Sequence, residues 1–82
     1  MSDIFPLNQL KEGQQANVTL VTAKGSIRRR LQDIGLIADT RVECVQRSPL
    51  GDPTAYLIRG AVIALRAEDA ATVLVSYQPM KA

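Results

Sequence analysis

The sequence predicts a mainly β fold: a small barrel of about five strands, with one short α-helix after the first strand and a helical turn before the last. Three observations carry this. Apolar and polar residues alternate over short runs, at Ala16, Val18 and Leu20 against Asn17 and Thr19 and again from Arg41 onward, which is the period of half-buried strands. The stretch with helical spacing, between Ser26 and Gly35, is about two turns long. Five short strands in a chain of 82 residues leave an edge problem that closure, or near closure, of the sheet solves.

Taken in order, residues 7–13 read as a turn that leads in, with Leu7 and Leu10 tacked onto the core. The strand from Ala16 to Leu20 is broken by Ala23-Lys24-Gly25. Ser26 reads as the N-cap of the helix and Gly35 as the left-handed residue that follows it. Between them, Ile27, Leu31 and Ile34 share one face, Arg30 flanks it, and Arg28 and Arg29 point to solvent. A helix this short is held by packing rather than by its own propensity. Arg41–Gln46 and Thr54–Ile58 form a hairpin, Arg59-Gly60 is a tight turn, and Ala61–Leu65 is apolar on both faces, as in a strand covered on both sides. Arg66–Ala71 makes a helical turn, Val73–Tyr77 a last strand, and Gln78–Ala82 a frayed tail.

The loop Ser48-Pro49-Leu50-Gly51-Asp52-Pro53 is the most informative stretch. Two prolines fix φ at its ends and Gly51 supplies a residue free to take positive φ. The loop is therefore stiff, and it carries Leu50 with no periodic pattern to bury it. Such a leucine either folds back over the barrel or serves a partner. Asp52 reads as a turn residue that bonds nearby backbone N–H groups.

Composition excludes several function classes. The chain is 46% hydrophobic and 22% charged, with a net charge of +2, ordinary for a globular domain and too weakly basic to demand nucleic acid. Small barrels that bind nucleic acid add stacking aromatics to a basic groove, and this chain has two Tyr, one Phe and no Trp. Tyr56 and Tyr77 also make a poor groove for proline-rich peptides. There is no His, so Ser-His and Cys-His pairs do not arise, and the five Gly are scattered singly rather than gathered in a phosphate loop. No catalytic residue and no cofactor are therefore expected. Cys44 alternates with Val42 and reads as core filling, which leaves no internal disulfide and fits a reducing compartment. Without His or clustered carboxylates no metal site is expected either; Glu68 and Asp69 are adjacent, but neighbours in a helical turn point apart. No run approaches the ~20 apolar residues of a membrane span, and the N-terminus lacks the basic and apolar regions of a signal peptide. The expected location is cytoplasmic, with no direct membrane insertion.

Arg30-Leu31-Gln32-Asp33-Ile34-Gly35-Leu36, the loop Ser48–Pro53, and Ile63-Ala64-Leu65-Arg66 followed by Ala70 together resemble the FeoA family over about Leu7 to Val75. Asp39 stands where family members often carry Gly; Asp accepts the left-handed conformation, so the turn is expected to survive. The resemblance implies one SH3-like domain over residues 1–82, with its core at about 7–77. It also implies a cytosolic accessory of the bacterial ferrous-iron transport system, with an FeoB-type membrane transporter bearing a G-protein domain as partner. The family is associated with transition-metal binding, which the residue set here does not support. The same fold occurs in metal-dependent repressors, so a free-standing regulatory or sensor domain is the alternative, and a small-barrel nucleic-acid binder a more remote one.

The expected role is thus a non-enzymatic, protein-binding module, recruited to the inner face of the membrane by its partner, with no nucleic acid and at most weak self-association. The expected interface residues are Pro49, Leu50, Gly51 and Asp52, with Arg28 and Arg29 as a secondary patch. Cations in the first turn oppose the helix dipole, and of the pair only Arg29 meets an acid four residues on, Asp33, in the poorer orientation. Helix stability alone does not account for these arginines.

Overall fold

The alternating run near Ala16 becomes the strand around which the sheet is assembled. The computed structural model describes residues 4–77, and within them the elements are β1 (Ile4–Pro6), a 3₁₀ turn (Leu7–Gln9), β2 (Gln15–Val21), α1 (Gly25–Asp33), β3 (Arg41–Arg47), β4 (Thr54–Ile58), β5 (Ala61–Leu65), α2 (Ala67–Ala70) and β6 (Val73–Tyr77). The strands form one six-stranded antiparallel sheet in the order β1-β6-β2-β3-β4-β5. The sheet curls around a core that includes Leu7, Leu10, Val18, Leu31, Tyr56 and Val75. The helix after the alternating strand and the helical turn before the last strand stand where the sequence places them. The frayed tail expected at 78–82 lies outside the described residues.

Five expectations need correction. A sixth strand, β1, pairs Ile4, Phe5 and Pro6 with Ser76, Val75 and Leu74; three residues ending in a proline carry too little periodicity to announce a strand. Leu20 is 52% exposed rather than buried, because the register of β2 against β6 slips between Val18 and Leu20. The extra residue, Thr19, reverses the alternation, so Val21 and Ala23 enter the core instead. Ser26 is not the cap: α1 begins at Gly25, preceded by extended Lys24, without a side-chain cap bond. Of the expected apolar face, Leu31 is fully buried and Ile34 partly so, whereas Ile27, in the first turn of α1, is 43% exposed. Finally, β5 is not covered on both sides. It is an end strand of the sheet, with Ala61, Val62 and Ala64 exposed.

The helix end follows the expectation. Gly35 takes φ +109°, its N–H donates to Gln32 O at 3.0 Å and the Leu36 N–H donates to Leu31 O at 3.1 Å, the paired bonds of a Schellman motif. Asp39 takes φ +73°, so the turn does survive with Asp in place of Gly. Arg59 and Gly60, at φ +51° and +86°, make the two-residue turn that joins Ile58 to Ala61.

Candidate functional site

The loop between β3 and β4 is held from within and from outside. Within it, the Gly51 N–H donates to Ser48 O at 2.8 Å, with Gly51 at φ +82°, and the Ser48 N–H donates to Pro53 O at 3.3 Å. The Asp52–Pro53 peptide bond is cis. Asp52 behaves differently from the local turn residue expected. Its Oδ1 accepts a 2.8 Å bond from the Ala67 N–H, fifteen positions along the chain. Ala67 opens α2, whose cap position, Arg66, offers no side-chain acceptor. Asp52 thus supplies from a distance the acceptor that helix starts ordinarily take from their own cap residue.

At the tip of this braced loop Leu50 is 94% exposed, so it does not fold back over the barrel. Pro49, Gly51 and Asp52 are exposed beside it. On α1, Arg28 and Arg29 are exposed, as expected. Arg30 is more than a flank of the helix: its Nη2 lies 2.9 Å from Asp69 Oδ2 in α2, and Asp69 is only 8% exposed. Among the described residues no hydrogen bond joins Arg28 or Arg29 to the loop. The connection runs through α2, which Asp52 holds at Ala67 and Arg30 holds at Asp69.

Two structural contacts escaped the sequence reading. Arg47, placed beyond the strand end by the alternation, is its last residue; its Nη2 donates to Asn8 O at 2.8 Å and Leu10 O at 3.0 Å, tying the N-terminal segment to β3. Asp69, which the sequence shows only as an acid pointing apart from its neighbour Glu68, is the buried partner of Arg30. Neither has a sequence signal, because each partner lies 37 or more residues away.

Cys44 is buried, and burial pushes its thiol above the ordinary range, with Arg47 pulling against it. Tyr56 is buried in the core and burial pushes it up to about 12, so it offers no stacking surface. Tyr77 packs on Phe5 with ring centroids 4.7 Å apart. Among the described residues no three His, Cys, Asp or Glu side chains cluster as metal ligands, and no helix is long and apolar enough to cross a membrane.

Comparison with known proteins agrees with this architecture. The family model of the FeoA domain matches residues 5–77. A fusion protein of Fe(2+) transport protein A and the Fe(2+) transporter FeoB from Porphyromonas gingivalis is 36% identical over 67 residues, which is 82% of this chain and 8% of that protein's length. The solution structure of FeoA from Chlorobium tepidum matches with a TM-score of 0.85 at 33% identity, covering 92% of this chain and 71% of that one. Zinc-complexed FeoA from Stenotrophomonas maltophilia, described as a procaryotic SH3 domain protein and a candidate ferrous iron transport activating factor, matches at 0.79 and 29%, covering 88% and 89%. A manganese-dependent transcriptional repressor matches at 0.84 but 19% identity, covering 95% of this chain and 44% of that one, a likeness of fold alone. The barrel is SH3-like, and the chain belongs to the FeoA domain family.

Proposed function

We propose that this chain acts as one domain, a non-enzymatic accessory protein that docks on the cytoplasmic part of a ferrous-iron transporter of the FeoB type and supports or regulates iron uptake. Docking uses Pro49, Leu50, Gly51 and Asp52, with Arg28 and Arg29 as a charged rim. The observation that carries the reading is Leu50, an exposed leucine on a loop braced at Ser48, Gly51 and Asp52. A braced loop loses little conformational freedom on docking, so a single apolar side chain there contributes strongly. The relative in which FeoA and FeoB share one polypeptide supports the choice of partner.

The test is Leu50→Asp. Burying leucine is worth about 1.5 to 3 kcal/mol, and burying a carboxylate instead costs several more, so affinity falls roughly a thousandfold or beyond. The variant is expected to fold, since the residue touches solvent, and to abolish ferrous-iron uptake in cells and co-purification with the transporter. Normal uptake by cells carrying the folded variant excludes the loop as the interface.

A further inference from the structure

The six-stranded sheet has two unequal ends. At one end β1 is three residues long and closes with Pro6, which protects it against further pairing. At the other end β5 is five residues, Ala61-Val62-Ile63-Ala64-Leu65, with neither a proline nor a charge. The usual devices that protect a sheet edge are missing there.

The geometry of the open edge follows from the hairpin. In a two-residue turn the flanking residues, Ile58 and Ala61, form a hydrogen-bonded pair, and the ladder then alternates. Ile63 and Leu65 therefore also pair toward β4, opposite Tyr56 and Thr54, while the N–H and C=O of Val62 and Ala64 point outward. Neither residue takes a backbone bond elsewhere among the described residues.

Both faces beside this edge are grooved. Next to α1, the lining of a groove includes Arg30, Ile34, Ile63, Leu65, Arg66 and the acid Asp69. On the other face a shallow apolar groove runs between Ala64, Ala55, Pro49 and Pro53. Alternate side chains of an added strand fall on opposite faces of a sheet, one set to each groove.

We propose that β5 accepts an extended peptide segment of a partner protein as an additional antiparallel or parallel strand, and that this segment is apolar at alternate positions and acidic at its ends. Charge decides the occupant. Exposed Arg59 and Arg66 bracket the edge, Arg30 stands beside it with its side chain 64% exposed, and the nearby Asp69 is already paired with Arg30. Glu68 is the remaining acid close to Arg66 in the chain, and from the loop the Asp52 carboxylate, bonded to the Ala67 N–H, stands beside Arg66 and offsets part of its charge. Pairing β5 with β5 of a second copy would set the Arg66 of each copy near the other's Arg59, at both ends and between two chains of net charge +2. Like charges opposed across strands destabilise the pair, so self-pairing is disfavoured where an acidic-ended strand is favoured. This proposal does not use Leu50, although its second groove shares Pro49 with the loop surface.

The probe is a set of capped peptides, Glu-Xaa-Thr-Xaa-Thr-Xaa-Glu with Val, Ile or Leu at each Xaa, titrated into the ¹⁵N-labelled protein. Saturable shifts are expected at the Val62 and Ala64 amides, together with slowed hydrogen exchange there. N-methylation of one alternate set of peptide amides should abolish binding, and methylation of the other set should leave it intact. Val62→Pro removes an outward N–H without touching the β4 ladder and should weaken binding about tenfold. Should that variant fail to fold, the two methylated peptides make the same distinction on the unaltered protein. The proposal is overturned by shifts that map away from β5, by equal sensitivity to both methylation patterns, by no binding at millimolar peptide, or by self-association through β5 in place of peptide binding.

Discussion

At Gly35 two demands meet in one residue. The helix end requires φ +109°, and a Cβ there would lie 2.5 Å from Arg59 Cδ and 3.3 Å from Ile58 Cγ2. Gly35→Val adds a β-branched side chain in a left-handed conformation and should lower stability by at least about 2 kcal/mol, or roughly 10 °C in Tm. Leu50→Ala, at a side chain surrounded by solvent, should stay within about 0.5 kcal/mol. Thermal melts of the two variants give the order, and a larger loss for Leu50→Ala would make the loop a structural plug. Tyr56 carries a pH signature. Its value of about 12 in the fold lies above the ordinary 10, so the neutral phenol stabilises fully below about pH 10 and that contribution fades as pH rises through 12. The change amounts to about 2 to 3 kcal/mol. Tyr56→Phe should therefore flatten the alkaline loss of stability while changing neutral stability by about 1 kcal/mol, since its hydroxyl donates a long 3.5 Å bond to Leu7 O and is also hydrogen-bonded with Thr54. Chemical denaturation of both proteins at pH 8 and pH 11 checks it.

At the scale of elements, the pairing of α1 with α2 singles out one arginine of three. Removing Arg30 strands a carboxylate that is almost fully buried, whereas Arg28 and Arg29 end in solvent. Arg30→Ala should cost about 1 to 2 kcal/mol in urea unfolding, and Arg28→Ala or Arg29→Ala less than about 0.5. Equal losses for all three would remove the Arg30–Asp69 pair from the account of stability. The sequence displays α1, the hairpin on the Ser48–Pro53 loop, the Arg59-Gly60 turn and the last strand because each has local punctuation. It conceals features set by distant partners. The slip at Thr19 reverses a perfectly regular alternation, and it arises from how β2 meets β6 rather than from the residues of β2. The apolar run Ala61–Leu65 reads the same for a central strand as for an unprotected edge. Asp52 shows its preference for backbone N–H groups but not that the one it takes belongs to Ala67. The exposure of Leu50 is legible, since a stiff loop with no periodic pattern leaves the leucine nothing to pack under, and the side chain is 94% exposed.

Considered as a whole, the molecule has a weak net charge with cations gathered locally, three of them consecutive on α1. Charge at the rim of an interface governs encounter rate and salt response more than contact energy. Arg28→Glu combined with Arg29→Glu should therefore weaken docking on the transporter less than Leu50→Asp does. The wild-type affinity should fall between about 0.05 and 0.5 M salt, and in the double variant, where the rim attraction becomes a repulsion that salt screens, the dependence should reverse. Binding assays across salt with the transporter's cytoplasmic part test this; an unchanged salt response in the double variant removes the arginines from the rim.

The bond from Asp52 to Ala67 gives the loop a built-in reporter. The opening amides of a helix have no acceptor within it, so the Ala67 N–H is shielded from solvent exchange only while the loop is seated. One backbone proton, sited away from the tip, thereby records how often the loop lifts, and its exchange rate converts directly into the free energy of that opening. A partner that grips the tip would slow this proton without touching it.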